Sequence, residues 1–240
     1  MVDRIAKQRL NVILLVDCST SMRGERIAQV NGALHDIKDH LVSMQKENSN
    51  VDFYLTVVTF STDARYLNGD KMKNVDEFNF KDIWAGGWSN LHLAYANLND
   101  ILQKKSQGGI MPDFGGVAPI IITLTDGHPT GEAYKDELKK LETKPWFKVA
   151  LRYGIAIELN DQRTKQVLQD FVGNNGEVID CYDSRKLQQI IKVIVLTASK
   201  VKSSSANVNN AANNAPQQNS NANVQQEVKQ ALNEVDDWEW

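Results

Sequence analysis

The chain is short of everything that would mark an extracellular, membrane-bound or nucleic-acid-binding protein. Its 240 residues include two cysteines, Cys18 and Cys181. Each borders a predicted strand, and two such thiols read as reduced, half-buried side chains rather than a disulfide. No stretch of Lys or Arg is dense enough for a nucleic-acid surface, and the formal net charge is -3. No apolar run approaches the roughly 18 residues that a membrane span requires. Residues 1–10 are charged and lack the apolar centre of a signal peptide. A cytoplasmic location is therefore expected, with neither nucleic acid nor membrane as a partner. Repeats of roughly 20 to 50 residues are absent as well, which excludes solenoids and propellers. With 42% hydrophobic and 24% charged residues, the remaining class is an ordinary globular protein.

What the chain does have is a punctuated α/β pattern. Val12-Ile13-Leu14-Leu15-Val16 is an uninterrupted aliphatic run, as in a strand buried on both faces of a parallel sheet. Ile27, Val30, Leu34, Ile37, Leu41 and Met44 then recur every three or four residues, which predicts an amphipathic helix over 25–45. Strands are expected at 51–60, 117–124, 146–157 and 177–181, and helices at 91–102, 132–142, 162–172 and 184–199. A short antiparallel edge strand is expected at 64–67, and an irregular polar stretch at 68–80. This alternation predicts an α/β fold: a doubly wound, mostly parallel sheet with helices on both faces.

Three divisions follow: a folded domain over 1–200, a Ser/Asn/Ala/Gln-rich flexible linker over 201–223, and an amphipathic tail over 224–240. The linker composition cannot bury enough apolar surface to fold. The tail carries an apolar stripe, Val224, Val228, Ala231, Leu232 and Val235, and ends in Asp236-Asp237-Trp238-Glu239-Trp240. Two tryptophans among acids suit a docking peptide for a partner protein or a neighbouring copy, which a linker spanning about 25–30 Å would allow to reach outward.

The chemistry gathers at strand ends. Asp17, Ser19 and Ser21 occupy the loop after the first strand, Gly86-Gly87-Trp88-Ser89 precedes a helix, and Thr125-Asp126-Gly127 follows the second strongly apolar strand. Such loops meet at the switch point of a doubly wound sheet. They would assemble two carboxylates and three hydroxyls, hard oxygen ligands suited to Mg²⁺. Enzyme readings find less support. There is no G-x4-G-K-[ST] loop, and Cys18 and Arg23 are spaced C-x4-R, one short of the C-x5-R phosphate loop. A phosphohydrolase of the haloacid dehalogenase type would use Asp17 within D-x-D, but Ser19 stands at the second acidic position. The chain is expected not to be an enzyme.

These segments resemble the von Willebrand factor A family. Asp17-Cys18-Ser19-Thr20-Ser21 matches its D-x-S-x-S motif, and Leu124-Thr125-Asp126-Gly127 its later segment, with the resemblance covering about residues 10 to 200. Asp17 through Glu25 and Thr125 through Thr130 look most similar to the bacterial tellurium-resistance TerY-type proteins. The resemblance implies a metal-ion-dependent adhesion site, with Mg²⁺ or Mn²⁺ held by Asp17, Ser19, Ser21, Ser89 and Asp126. It implies a protein partner whose carboxylate completes the coordination, and an adaptor role in a stress-response or defence system alongside kinase- or phosphatase-like proteins. The middle loop departs from the family: Ser89 stands where Thr is usual, with Asn90 as a competing oxygen. A metal-independent scaffold is the alternative.

Overall fold

The computed structural model describes residues 7–47, 50–158, 161–205 and 218–236. Strand β1 (Gln8–Asp17) is the centre of a seven-stranded sheet. It pairs in parallel on one side with β2 (Val51–Phe60) and on the other with β5 (Ile120–Thr125). Beyond β5 lie β6 (Leu151–Ile157) and β7 (Gly176–Cys181), again parallel. On the outer edge of β2, β3 (Ala64–Tyr66) and the two-residue β4 (Lys73–Asn74) pair antiparallel. The fold is the expected mostly parallel sheet with an antiparallel edge.

Successive side chains of β1 enter opposite layers, as the period of two in a strand requires. Val12, Leu14 and Val16 join one core with helix α1 (Glu25–Glu47) and α6 (Ser184–Ser205). Ile13 and Leu15 join the other, with α2 (Leu91–Ile101), α3 (Tyr134–Thr143), α4 (Pro145–Val149) and α5 (Gln162–Val172). That double burial explains why Val12 to Val16 of β1 are aliphatic without interruption. Among the described residues no helix is long and apolar enough to cross a membrane. Cys18 and Cys181 are free and buried, and burial pushes each thiol up to about 11.

Three boundaries differ from expectation. The strand expected from 146 begins only at Leu151, because Pro145 starts a short helix. Proline's fixed φ suits the first helical position, and the aromatic side chains of Trp146 and Phe147 still reach the core. Within the stretch read as irregular, Lys73–Asn74 pairs with β2, and a 3-10 turn over Val75–Glu77 follows. At the far end, α6 continues to Ser205 and α7 spans Gln218–Asp236, so only 206–217 of the expected linker remain outside the described residues. Val224, Val228 and Leu232 of α7 are buried in the same core as Leu187, Ile190 and Ile191 of α6. Lys229 also pairs with Glu177 at 3.2 Å. Val224, Val228 and Leu232 of the expected docking stripe are thus used inside the domain; Trp238 and Trp240 lie outside the described residues.

Candidate metal centre

Because the chain leaves β1 for β2 on one side and later returns to β5 on the other, the switch point of the sheet falls between β1 and β5. Asp17 is the last residue of β1 and Asp126 directly follows β5. Strand pairing alone therefore brings the two carboxylates to one edge.

Asp17 is fully buried. Its Oδ1 accepts the Ser19 N–H at 2.8 Å, and its Oδ2 accepts the hydroxyls of Ser89 at 2.9 Å and Thr125 at 2.7 Å. All three donors are neutral. Burial dominates over these hydrogen bonds and holds the Asp17 carboxyl above the usual carboxylate range.

Ser19, also buried, has its hydroxyl 3.1 Å from that of Ser21, which donates to Asp126 Oδ1 at 2.7 Å. Ser21 itself is exposed, so the cluster opens to solvent on that side. The five residues singled out in the sequence are thus linked in one network, Ser19 meeting Asp17 through its backbone N–H and Ser21 through its hydroxyl.

The middle loop is positioned by contacts from its neighbours. Gly86 N–H donates to Cys18 O at 2.7 Å, and Thr20 N–H to Gly87 O at 3.0 Å. Gly87 has a φ of +90°, and a Cβ there would lie 2.3 Å from Thr62 Oγ1, which accepts the Trp88 N–H. Only glycine lets the loop pass Thr62 this closely. Thr130 clamps Ser89 from the other side, accepting its N–H at 3.2 Å and donating its own N–H to the Ser89 carbonyl at 2.7 Å. The competitor Asn90 is turned away: its amide donates to Thr62 O at 3.0 Å. Trp88 and Trp84 stand exposed beside this loop, and His128 is exposed after Asp126.

Sequence reasoning missed three residues. Thr125 enters the sequence pattern only as part of a motif, yet its hydroxyl donates to Asp17 Oδ2. Arg26, near the start of α1, places Nη1 2.6 Å from Asp126 Oδ2 and Nε 2.8 Å from Glu158 Oε2. Its guanidinium is held above its ordinary value, first by the hydrogen bond to Glu158 and then by Asp126. No local spacing pattern links these residues, because Glu158 lies 132 positions from Arg26.

The donor set fits a small hard cation. Among the described residues no three His, Cys, Asp or Glu side chains gather as a group that could hold a metal ion, so an ion here would rest on hydroxyls as much as on carboxylates. The network instead offers hydroxyls and carboxylates, and the fully buried Asp17 is hydrogen-bonded only to neutral donors. A divalent ion would compensate that buried charge, with Asp17, Ser19, Ser21, Ser89 and Asp126 as the residues to hold it.

Residues 11–193 match the von Willebrand factor type A domain. The chain belongs to this family. Relatives of this A domain include bovine (Bos taurus) inter-alpha-trypsin inhibitor heavy chain H1, 30% identical over 197 residues, covering 77% of this chain but 20% of that protein. The chain therefore spans about a fifth of that relative. Among solved structures, a von Willebrand factor type A protein from Catenulispora acidiphila superposes with a TM-score of 0.58 at 15% identity, covering 80% of this chain and 43% of the other. The pilus adhesin SpaC from Lactobacillus rhamnosus GG gives 0.56 at 14% identity, covering 81% and 31%. At such identities these two likenesses speak for the A-domain fold.

Proposed function

We propose that this A domain is a metal-dependent protein-binding module in which Mg²⁺ or Mn²⁺ is held by Asp17, Ser19, Ser21, Ser89 and Asp126. The observation that carries the reading is the convergence of two buried carboxylates with three hydroxyls at the sheet's switch point, one carboxylate having only neutral donors. When bound, the ion supplies an electrophilic centre for a carboxylate of a partner protein. The chain's residues orient the ligand oxygens: Thr125 fixes Asp17, and Thr130 fixes the Ser89 backbone. The reading includes no catalysis, since Ser19 stands where a phosphohydrolase of this layout needs its acid, and purified protein is expected to show no phosphatase activity.

The finer role follows the motif likeness of Asp17–Glu25 and Thr125–Thr130 to TerY-type proteins: a cytoplasmic adaptor in a bacterial stress-response or defence system, working with kinase- or phosphatase-like partners. The acidic, tryptophan-bearing end over 237–240 carries what remains of the docking contact proposed for the tail.

The test compares melting of the full chain in chelator and in millimolar Mg²⁺ or Mn²⁺, followed by co-purification of partners with wild type and Asp126→Ala. Metal is expected to raise the melting temperature of wild type alone, and partners are expected to be lost in chelator and in the variant. A wild-type chain indifferent to both metals would overturn the reading. One observation favours a metal-independent scaffold instead: Asp126 already has a cation, Arg26, at 2.6 Å. Partner binding that survives both chelator and Asp126→Ala would establish that alternative.

A further inference from the structure

The Arg26 contact joins three elements that meet only in the folded chain. Its guanidinium leaves the start of α1, and Nη1 reaches both Asp126 Oδ2 at 2.6 Å and the Ser21 carbonyl at 3.2 Å. Nε turns to Glu158 Oε2 at 2.8 Å. The Asp126 side chain is fully buried, whereas those of Arg26 and Glu158 are about one-third exposed. A buried carboxylate without a partner is costly, and here the chain supplies the partner itself.

Glu158 carries a second, independent sign that this bridge is built in. Among the described residues it is the one non-glycine with positive φ, +47°, at the point where β6 ends. Its N–H donates to Cys181 O at 2.8 Å, which anchors that turn to β7. A side chain held on backbone that L residues rarely adopt marks a place where the surroundings dictate position. The result is an ordered carboxylate, guanidinium, carboxylate row leading into the cluster.

We propose that Arg26 is the internal counter-ion of Asp126 and sets the site's affinity for divalent ions, with Glu158 sharing the guanidinium. This rests on the metal-binding reading above. The physical argument is Coulombic. One positive charge fixed beside Asp126 cancels much of what that carboxylate offers a cation, while it stabilises the site when no cation is bound. Glu158 works the opposite way, sharing the guanidinium and adding negative charge at the rim. Arg26 is thus a positioning and affinity-setting residue rather than a ligand.

The experiment is calorimetric titration of the full chain with MgCl₂, beside melting in chelator, for wild type, Arg26→Gln, Arg26→Lys, Glu158→Gln and Arg26→Gln/Glu158→Gln. Arg26→Gln is expected to bind Mg²⁺ at least about tenfold tighter, as removal of an adjacent unit charge implies, yet to melt lower without metal. Arg26→Lys keeps the charge and should stay near wild type in affinity. Glu158→Gln should bind about threefold more weakly, and this loss should shrink by half or more once Arg26 is gone, because coupled residues are not additive. If Arg26→Gln binds as wild type does, or more weakly, the counter-ion role is wrong and the metal site stands. Should neither wild type nor Arg26→Gln bind Mg²⁺ or Mn²⁺, the metal reading itself fails and this inference falls with it.

Discussion

Two carboxylates sit side by side at the ends of adjacent strands, and the protein treats them differently. Asp17 has only neutral donors, the Ser19 N–H and the hydroxyls of Ser89 and Thr125, and burial raises its proton affinity. Asp126, equally inaccessible at its side chain, has a guanidinium and one serine hydroxyl. Position in the sheet explains the contrast. Asp17 ends the central strand between β2 and β5 and takes its donors from Ser19, the middle loop and β5. Asp126 lies one residue beyond its strand, beside the start of α1, where Arg26 can reach from the surface. A buried charge must be compensated, and the two halves of this site differ in the source: for Asp126 the compensation is built into the fold as Arg26, and for Asp17, on the metal-binding reading proposed above, it would come from a bound cation.

The sharpest way to break the comparison is to remove each carboxylate. If both serve one ion, Asp17→Ala and Asp126→Ala each abolish the whole metal response. At an ion concentration near 100 times Kd that response is worth about 2.7 kcal/mol in wild type, and melting curves in chelator and in Mg²⁺ read it directly. Retention of half the response in either variant would mean that the carboxylate lies outside the coordination sphere.

A smaller effect separates the two residues in the absence of metal. Asp17→Asn removes a buried charge that only neutral groups solvate, and hydroxyls of Ser89 and Thr125 can rotate to match the amide. Denaturation in chelator is expected to show stability kept or raised by about 1 kcal/mol. Asp126→Asn instead strips a buried ion pair of one partner, with a loss of about 1 kcal/mol, moderated because Arg26 retains Glu158 and is partly in water. Equal signs for the two substitutions would erase the distinction drawn here.

How much of this was legible in the residues follows the range of the forces involved. The β1 run, the α1 stripe and the 162–172 helix were readable, because burial on two faces and helical periodicity are written locally. So was the meeting of Asp17, Ser19, Ser21, Ser89 and Asp126 at one sheet edge, since a strand end with an acid and spaced hydroxyls is a local pattern and the doubly wound topology supplies the rest. Trp146 and Phe147 misled because aromatic residues ahead of a largely apolar stretch have strand character, while Pro145 starts a helix by fixing one torsion. The stripe through Val224, Val228 and Leu232 correctly implied a helix that buries one side. Periodicity does not name what covers that side, and α6 of the same chain does. The Arg26 bridge was illegible for a plainer reason: it depends on which strand neighbours which.

The subtlest test concerns the donors of Asp17. Ser89 donates its hydroxyl to Asp17 Oδ2 at 2.9 Å, while Thr130 pins its backbone from both sides, so the remaining freedom is rotation about χ1. Removing the hydroxyl in Ser89→Ala deletes one of three donors to a buried charge, a loss of about 1 kcal/mol in chelator, and also deletes a metal ligand. Mg²⁺ binding should weaken roughly tenfold, which corresponds to about 1.4 kcal/mol. Ser89→Thr keeps the oxygen and restricts χ1 by its added methyl. Freezing one rotor that already points at Asp17 is worth at most a few tenths of a kcal/mol, so affinity should hold or rise within about threefold, provided the nearly buried site admits the methyl. Titration of the three proteins side by side settles the ligand. Equal affinity in all three would remove Ser89 from the coordination sphere. Because Asn90 is committed to Thr62 O, that place would pass to water, leaving Asp17 with neutral partners throughout and the contrast with Asp126 sharper still.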